Sequence, residues 1–212
     1  MYSGQHVAAK TICIANQKGG VGKTTTAINL STSLALGGKK TLLVDIDPQG
    51  NAGSGVGQGS NGHATIYDAL VSEAAMASVV QTTVVENMSI ACSTIDLTGA
   101  EIELVTMPER EFRLRKTLDQ VRHEFDFIIV DCPPSLGLLT INALTAADSV
   151  LIPLQCEYYA LEGLSQLLNT IKLVKTRLNP ELALEGILLT MFDKRNNLAR
   201  QVADEIVKHF ST

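Results

Sequence analysis

Near-continuous apolar runs lie at 11–15, 41–46, 88–92, 126–131, 149–153 and 184–190. Short runs without polar alternation predict strands buried on both faces. Between them, apolar positions recur every three or four residues at 24–36, 98–106, 110–122, 136–146, 159–178 and 198–210. That period predicts helices with one buried stripe. The punctuation agrees. Gly37 and Gly38 form a stop after the first helix, and Pro108 separates 98–106 from 110–122. Pro180 closes the long helix before the last strand, and Ser135 is placed to cap the helix at 136. Alternating strands and helices predict an α/β fold: a doubly wound, mostly parallel sheet with helices on both faces. Ligands in such sheets bind beyond the carboxyl ends of the strands.

Composition narrows the class. The chain has 212 residues and is 45% hydrophobic, so it is read as one domain over 10–212, burying roughly 70% of its unfolded surface. Residues 1–9 lack an apolar core, are not a signal peptide, and are expected to be a loose leader. No uninterrupted apolar run reaches the length of a membrane helix, so no membrane segment is expected. Aromatics are 4% with no Trp, which argues against recognition by base stacking. Cys13, Cys92, Cys132 and Cys156 are dispersed without a C-x-x-C pair. They read as buried thiols in a reducing, cytoplasmic setting. The net charge of -5 excludes an overall basic footprint, so any nucleic-acid surface must be local. Its best candidate is the cluster Lys194, Arg195 and Arg200, with a plain solvated face as the alternative. Between Gly50 and Gly62 glycines recur with Ser and Asn. The stretch is expected to be either a mobile switch loop or an idle surface loop.

The run Gln17-Lys18-Gly19-Gly20-Val21-Gly22-Lys23-Thr24-Thr25-Thr26 carries the strongest chemical signal. It follows a strand and opens a helix, the context of a phosphate-binding loop. Its glycines let backbone N–H groups turn inward, and the helix N-terminus adds a positive dipole end. Gly19, Gly20, Val21, Gly22, Lys23, Thr24 and Thr25 are the expected nucleotide contacts. Lys23 is expected on the β- and γ-phosphates and the Thr24 hydroxyl on Mg²⁺. The first glycine of the usual G-x-x-x-x-G-K-[ST] pattern is replaced by Gln17, and a second lysine, Lys18, precedes Lys23 by five positions. Lys18 is too early on the loop to duplicate Lys23. It either reaches a phosphate held by a partner subunit, as an arginine finger does, or is a solvated loop lysine.

Acids stand at two strand ends. Asp131 ends an apolar strand before two prolines, where a buried carboxylate needs a cation or donors beside it. Mg²⁺ near Thr24 supplies one, and a structural acceptor role is the alternative. Asp45 and Asp47 end another strand two residues apart, so alternation directs both to one side. One such carboxylate can hold metal-bound water and one can orient an attacking water. Asp45 is either a group near the metal or a carboxylate that caps a helix or pins a loop. Asn51 is a further candidate, either to polarise that water or to touch the γ-phosphate.

The K-G-G-x-G-K-T-T loop resembles the deviant Walker A of the ParA/MinD ATPase superfamily. The run from Leu42 to Asn51, with its D-P-Q-G-N end, resembles the second motif of that family, and Asp131-Cys132-Pro133-Pro134-Ser135 resembles its Walker B. Leu97 to Leu104 and Leu188 to Leu198 resemble further stretches of the ParA/Soj partition branch, and the match runs from about Lys10 to the end. The resemblance implies an ATP- and Mg²⁺-dependent ATPase used in chromosome or plasmid partition. It implies an ATP-bridged homodimer that binds DNA non-specifically and associates with the nucleoid, and a ParB/Spo0J-like stimulating protein. It assigns Lys18 to catalysis in trans, Asp47 to the attacking water and Arg195 to a DNA phosphate. ParA/Soj proteins continue past residue 210 with a further strand, a base-pocket loop and a basic helix, so the chain is expected to be truncated relative to them. The other classes weighed are a MinD-like membrane-cycling ATPase, a non-hydrolysing scaffold and an iron–sulfur carrier ATPase. The last would use Cys92 and Cys132, which lack the flanking glycines a cluster approach requires.

Overall fold

The computed structural model describes residues 8–60, 62–157 and 160–210. Its elements are β1 (Lys10–Ile14), α1 (Lys23–Leu36), β2 (Thr41–Asp45), α2 (Asn51–Gly55), α3 (Ile66–Val71), α4 (Met76–Val79), β3 (Val80–Thr82), β4 (Met88–Ala91), α5 (Leu97–Glu103), α6 (Arg113–Asp119), β5 (Phe127–Asp131), α7 (Leu138–Ala146), β6 (Ser149–Gln155), α8 (Ala160–Arg177), β7 (Ala183–Thr190) and α9 (Asn197–Phe210). The strands form one seven-stranded sheet in the order β3-β4-β2-β5-β1-β6-β7. Among the described residues, only the β3–β4 pair is antiparallel. This is the doubly wound P-loop NTPase architecture the sequence predicts.

Alternation along the central strands sorts side chains to two cores. Ile12, Ile14, Leu43, Ile90 and Ile129 face one side, where Ala27 and Ala35 of α1 and Ala52 of α2 cover them. Cys13, Leu42, Val44, Ile128 and Val130 face the larger core on the other side. The inner stripe of α1 is Ala27, Ser31 and Ala35. Such small residues, four apart, let the helix lie close on the strands. The α1 stop behaves as read: Gly38 N–H bonds Ala35 C=O at 2.9 Å and Lys39 N–H bonds Leu34 C=O at 3.0 Å, a Schellman pattern.

Several expectations are corrected. Residues 50–62 are not simply a loop, because Asn51–Gly55 forms α2 with Ala52 and Gly53 buried. Its glycine-rich sequence hides a helix that a distant carboxylate caps. The short α3, α4 and β3 were not expected either. For α3 the signal existed: the Asp68 carboxylate accepts the Thr65 N–H at 2.7 Å, a capping box. Helix 98–106 ends in a 3₁₀ turn at Leu104–Thr106, and 110–122 resolves into a 3₁₀ turn at Arg110–Phe112 and α6. Ser135 is not the cap of α7. Gly137 holds that position, and the Ser135 carbonyl accepts the Thr140 hydroxyl at 2.7 Å. The leader expected over 1–9 lies mostly outside the described residues. Its last residue, Ala9, is buried and donates to the Arg122 carbonyl at 3.1 Å.

Candidate nucleotide site

The loop between β1 and α1 sits at the carboxyl end of the sheet centre. Its two turning points are Gly20, at φ 73, and Gly22, at φ 88. A side chain is strained in that left-handed region, and a Cβ on Gly22 would also lie 3.6 Å from the Thr190 methyl. Gly19, Gly20 and Thr25 are exposed, Thr24 is half-buried and Val21 is buried. Lys23 begins α1 at 6% exposure. Its ammonium donates to the Lys18 carbonyl at 2.9 Å, closing the loop on itself. Burial lowers the Lys23 pKa, against the opposing pull of Asp131 first.

Register explains the acids. Asp45 and Asp131 are cross-strand partners on β2 and β5. They share the parity of Leu43 and Ile129, so they lie on the α1 side of the sheet. Both are fully buried. Neither Asp131 oxygen has a hydrogen-bond partner among the described residues. Burial, then the Asp45 charge, pushes the Asp131 carboxyl up to about 7. The Thr24 hydroxyl pulls it back without closing a regular hydrogen bond, and Lys23 does so least. An unpartnered buried carboxyl is costly. With the Thr24 hydroxyl and the Lys23 ammonium beside it, this one fits a divalent cation with bound phosphate.

Asp45 differs. Its Oδ1 accepts the Asp47 N–H at 3.0 Å, and its Oδ2 accepts the Ala52 N–H at 3.0 Å and the Gly53 N–H at 3.4 Å. Burial raises it to about 6 against those donors. Both oxygens are thus spent on the turn and on the first residues of α2. Asp45 pins the loop, and the metal role is set aside for it. Asp47 is 7% exposed, and its Oδ1 accepts the Gln49 N–H at 3.0 Å. Asn51 starts α2 and is exposed. Among the described residues no three His, Cys, Asp or Glu side chains have metal-chelating geometry.

Lys18 points away from this interior. Its ammonium pairs with the Glu157 carboxylate, both side chains about half exposed. Three residues that sequence reasoning missed fix the loop. Asn16, 6% exposed, donates to the Pro153 carbonyl at 2.7 Å and accepts the Lys18 N–H at 3.0 Å. Thr190, ending β7, donates its hydroxyl to the Val21 carbonyl at 2.8 Å. Gln166 of α8 accepts the Gln17 amide at 2.9 Å. A lone Asn or Thr outside the glycine run gives no motif to find.

Of the basic cluster, Lys194 and Arg195 lie on the turn after β7 and Arg200 lies on α9. Arg195 grips Asp193 through Nε and Nη2 at 2.8–3.2 Å and stands 90% exposed. Arg200 donates to Asn197, and Lys194 is exposed. Cys92 and Cys132 are buried in opposite cores, so the sheet lies between the two thiols and the iron–sulfur reading is set aside.

Residues 9–184 match a family described as an AAA domain. The chain is 60% identical over 208 residues to a chromosome partitioning protein ParA of Myxococcus xanthus, covering 98% of this chain and 74% of that one. It is 59% identical over 202 residues to the sporulation initiation inhibitor protein Soj of Bacillus subtilis, covering 95% and 80%. Among solved structures, a plasmid partition protein of Borrelia burgdorferi bound to AMPPNP superposes with a TM-score of 0.81 at 30% identity, covering 96% and 84%. Cobyrinic acid a,c-diamide synthase of Mycobacterium smegmatis with bound ATP analog and magnesium gives 0.89 at 38%, covering 95% and 83%. With its loop, strand-end acids and fold all in place, this chain belongs to the ParA/Soj family of chromosome-partitioning ATPases.

Proposed function

We propose that the chain is an ATP-dependent dimerisation switch that hydrolyses ATP and binds DNA non-specifically while dimeric. The observation that carries the reading is the buried, unpartnered Asp131 carboxyl beside the Thr24 hydroxyl and Lys23 at the start of α1. Both structures named above that hold a nucleotide analogue share this architecture. Backbone N–H groups from Gly19 to Thr25 cradle the phosphates, and Lys23 leaves the Lys18 carbonyl for the β- and γ-oxygens. Thr24 and Asp131 would hold Mg²⁺, which would supply charge neutralisation at the phosphates. Asp47 has Oδ2 left to orient the attacking water. Lys18 of the facing subunit completes the charge at the γ-phosphate. The turn carrying Lys194 and Arg195, together with Arg200 on α9, meets DNA backbone. A ParB/Spo0J-like protein stimulates hydrolysis and so returns the dimer to monomers, as the relatives' partition role suggests.

Asp47→Ala tests the centre of this reading. The variant binds ATP, stays dimeric on size exclusion with ATP and releases no phosphate. A monomeric variant with normal turnover overturns the assignment.

A further inference from the structure

Lys18 is not free in the single subunit. Its ammonium is held by Glu157, two residues past the end of β6. The neighbouring Gln17 is held by the same part of the chain, donating to the Gly163 carbonyl at 3.4 Å and to Gln166 at 2.9 Å. The Asn16 side chain turns the backbone at this point by accepting the Lys18 N–H. The first half of the loop is therefore docked on Glu157 and α8, while its second half, from Gly19 to Thr25, is the proposed phosphate cradle. The two lysines are thereby separated: Lys23 faces the buried acids, and Lys18 faces a carboxylate outside them.

We propose that Glu157 is an autoinhibitory counter-ion that holds Lys18 within its own subunit, and that ATP-bridged pairing must break this ion pair on both sides. The inference rests on the trans role of Lys18. A cation cannot serve the partner's phosphate while seated on its own subunit's carboxylate, so each dimer gives up two such pairs. Glu157 touches neither the cradle nor Asp131, so its removal leaves nucleotide binding unchanged. An exposed ion pair of this kind shifts an equilibrium by roughly 1.4- to fivefold. Squared over the two subunits of a dimer, the shift becomes about two- to thirtyfold.

Sedimentation equilibrium in Mg²⁺ and a non-hydrolysed ATP analogue tests this on wild type, Glu157→Gln, Lys18→Ala and the double variant. Glu157 is solvent-exposed, so its substitution leaves the fold intact. Glu157→Gln is expected to tighten the dimer by about two- to thirtyfold, with monomer nucleotide affinity unchanged. Lys18→Ala is expected to lose the dimer, and the double variant to behave as Lys18→Ala does. Unchanged dimerisation in Glu157→Gln, with Lys18→Ala still defective, overturns the latch and leaves the trans reading standing. Equal tightening by Glu157→Gln in both backgrounds overturns it too, because the effect then bypasses Lys18. Wild-type dimerisation of Lys18→Ala removes the trans reading and the latch together.

Discussion

The sheet centre and the turn beyond its β7 edge carry charge in opposite ways. At the centre, Asp131 is fully buried without a hydrogen-bond partner, and Lys23 is nearly buried against it. Beyond the edge, Arg195 is 90% exposed and already gripped by Asp193. A buried charge keeps its full strength because no water screens it, and it stays costly until a ligand compensates it. An exposed charge costs little and binds weakly, since a neighbouring side chain and salt both blunt it. On the proposed function, chemistry belongs to the centre, and reversible, salt-sensitive contact belongs to the edge. Lys18, half exposed on Glu157, lies between the two regimes.

The largest effect breaks the comparison at its strongest point. Lys23→Ala abolishes ATP binding in titration calorimetry, because the cradle loses its buried cation. Lys18→Ala binds ATP as a monomer like wild type but lowers phosphate release, by as much as about 10³-fold if the cation acts on transition-state charge. Normal turnover in Lys18→Ala would place that lysine with the edge charges.

Next in size is the cost of the buried acid itself. The Asp131 carboxyl is raised from 3.8 to about 7, so the folded chain holds a proton that the unfolded chain has released. Stability without nucleotide then falls as pH rises from about 4 to 7. Asp131→Asn removes most of that fall and stabilises the chain at about pH 8 by roughly 2–4 kcal/mol. Asp45, raised to about 6, leaves a smaller fall over a lower window. Urea denaturation at several pH values reads both. A variant that keeps the wild-type slope denies that Asp131 is the stressed group.

The smallest effect sharpens the edge. Arg195→Glu weakens binding to random duplex DNA and leaves ATP affinity alone. It also makes the log–log salt dependence shallower, by about 0.9 for each DNA phosphate the variant no longer neutralises. Asp193→Asn, which frees the guanidinium, strengthens DNA binding slightly. Equal affinity in all three proteins removes this turn from the DNA surface.

The sequence by itself determined the parallel α/β order and the phosphate loop, because both are local. Buried strands are apolar runs, α1 and α8 repeat every three or four residues, and a glycine run between strand and helix has few other uses. It also placed Asp131 at a strand end. What it left open was decided by contacts across the sheet. The register of β2 against β5 sets Asp45 beside Asp131, and the fold of 50–55 back over β2 spends Oδ2 of Asp45 on α2, Oδ1 being taken by the Asp47 N–H. That is why one acid is a pin and the other stands without partners, although both look alike along the chain. Asn16 and Thr190 hold the loop, and Glu157 holds the Lys18 side chain, through contacts 137, 169 and 139 positions apart. No pattern along the chain encodes such partners, since packing alone brings them within hydrogen-bond reach.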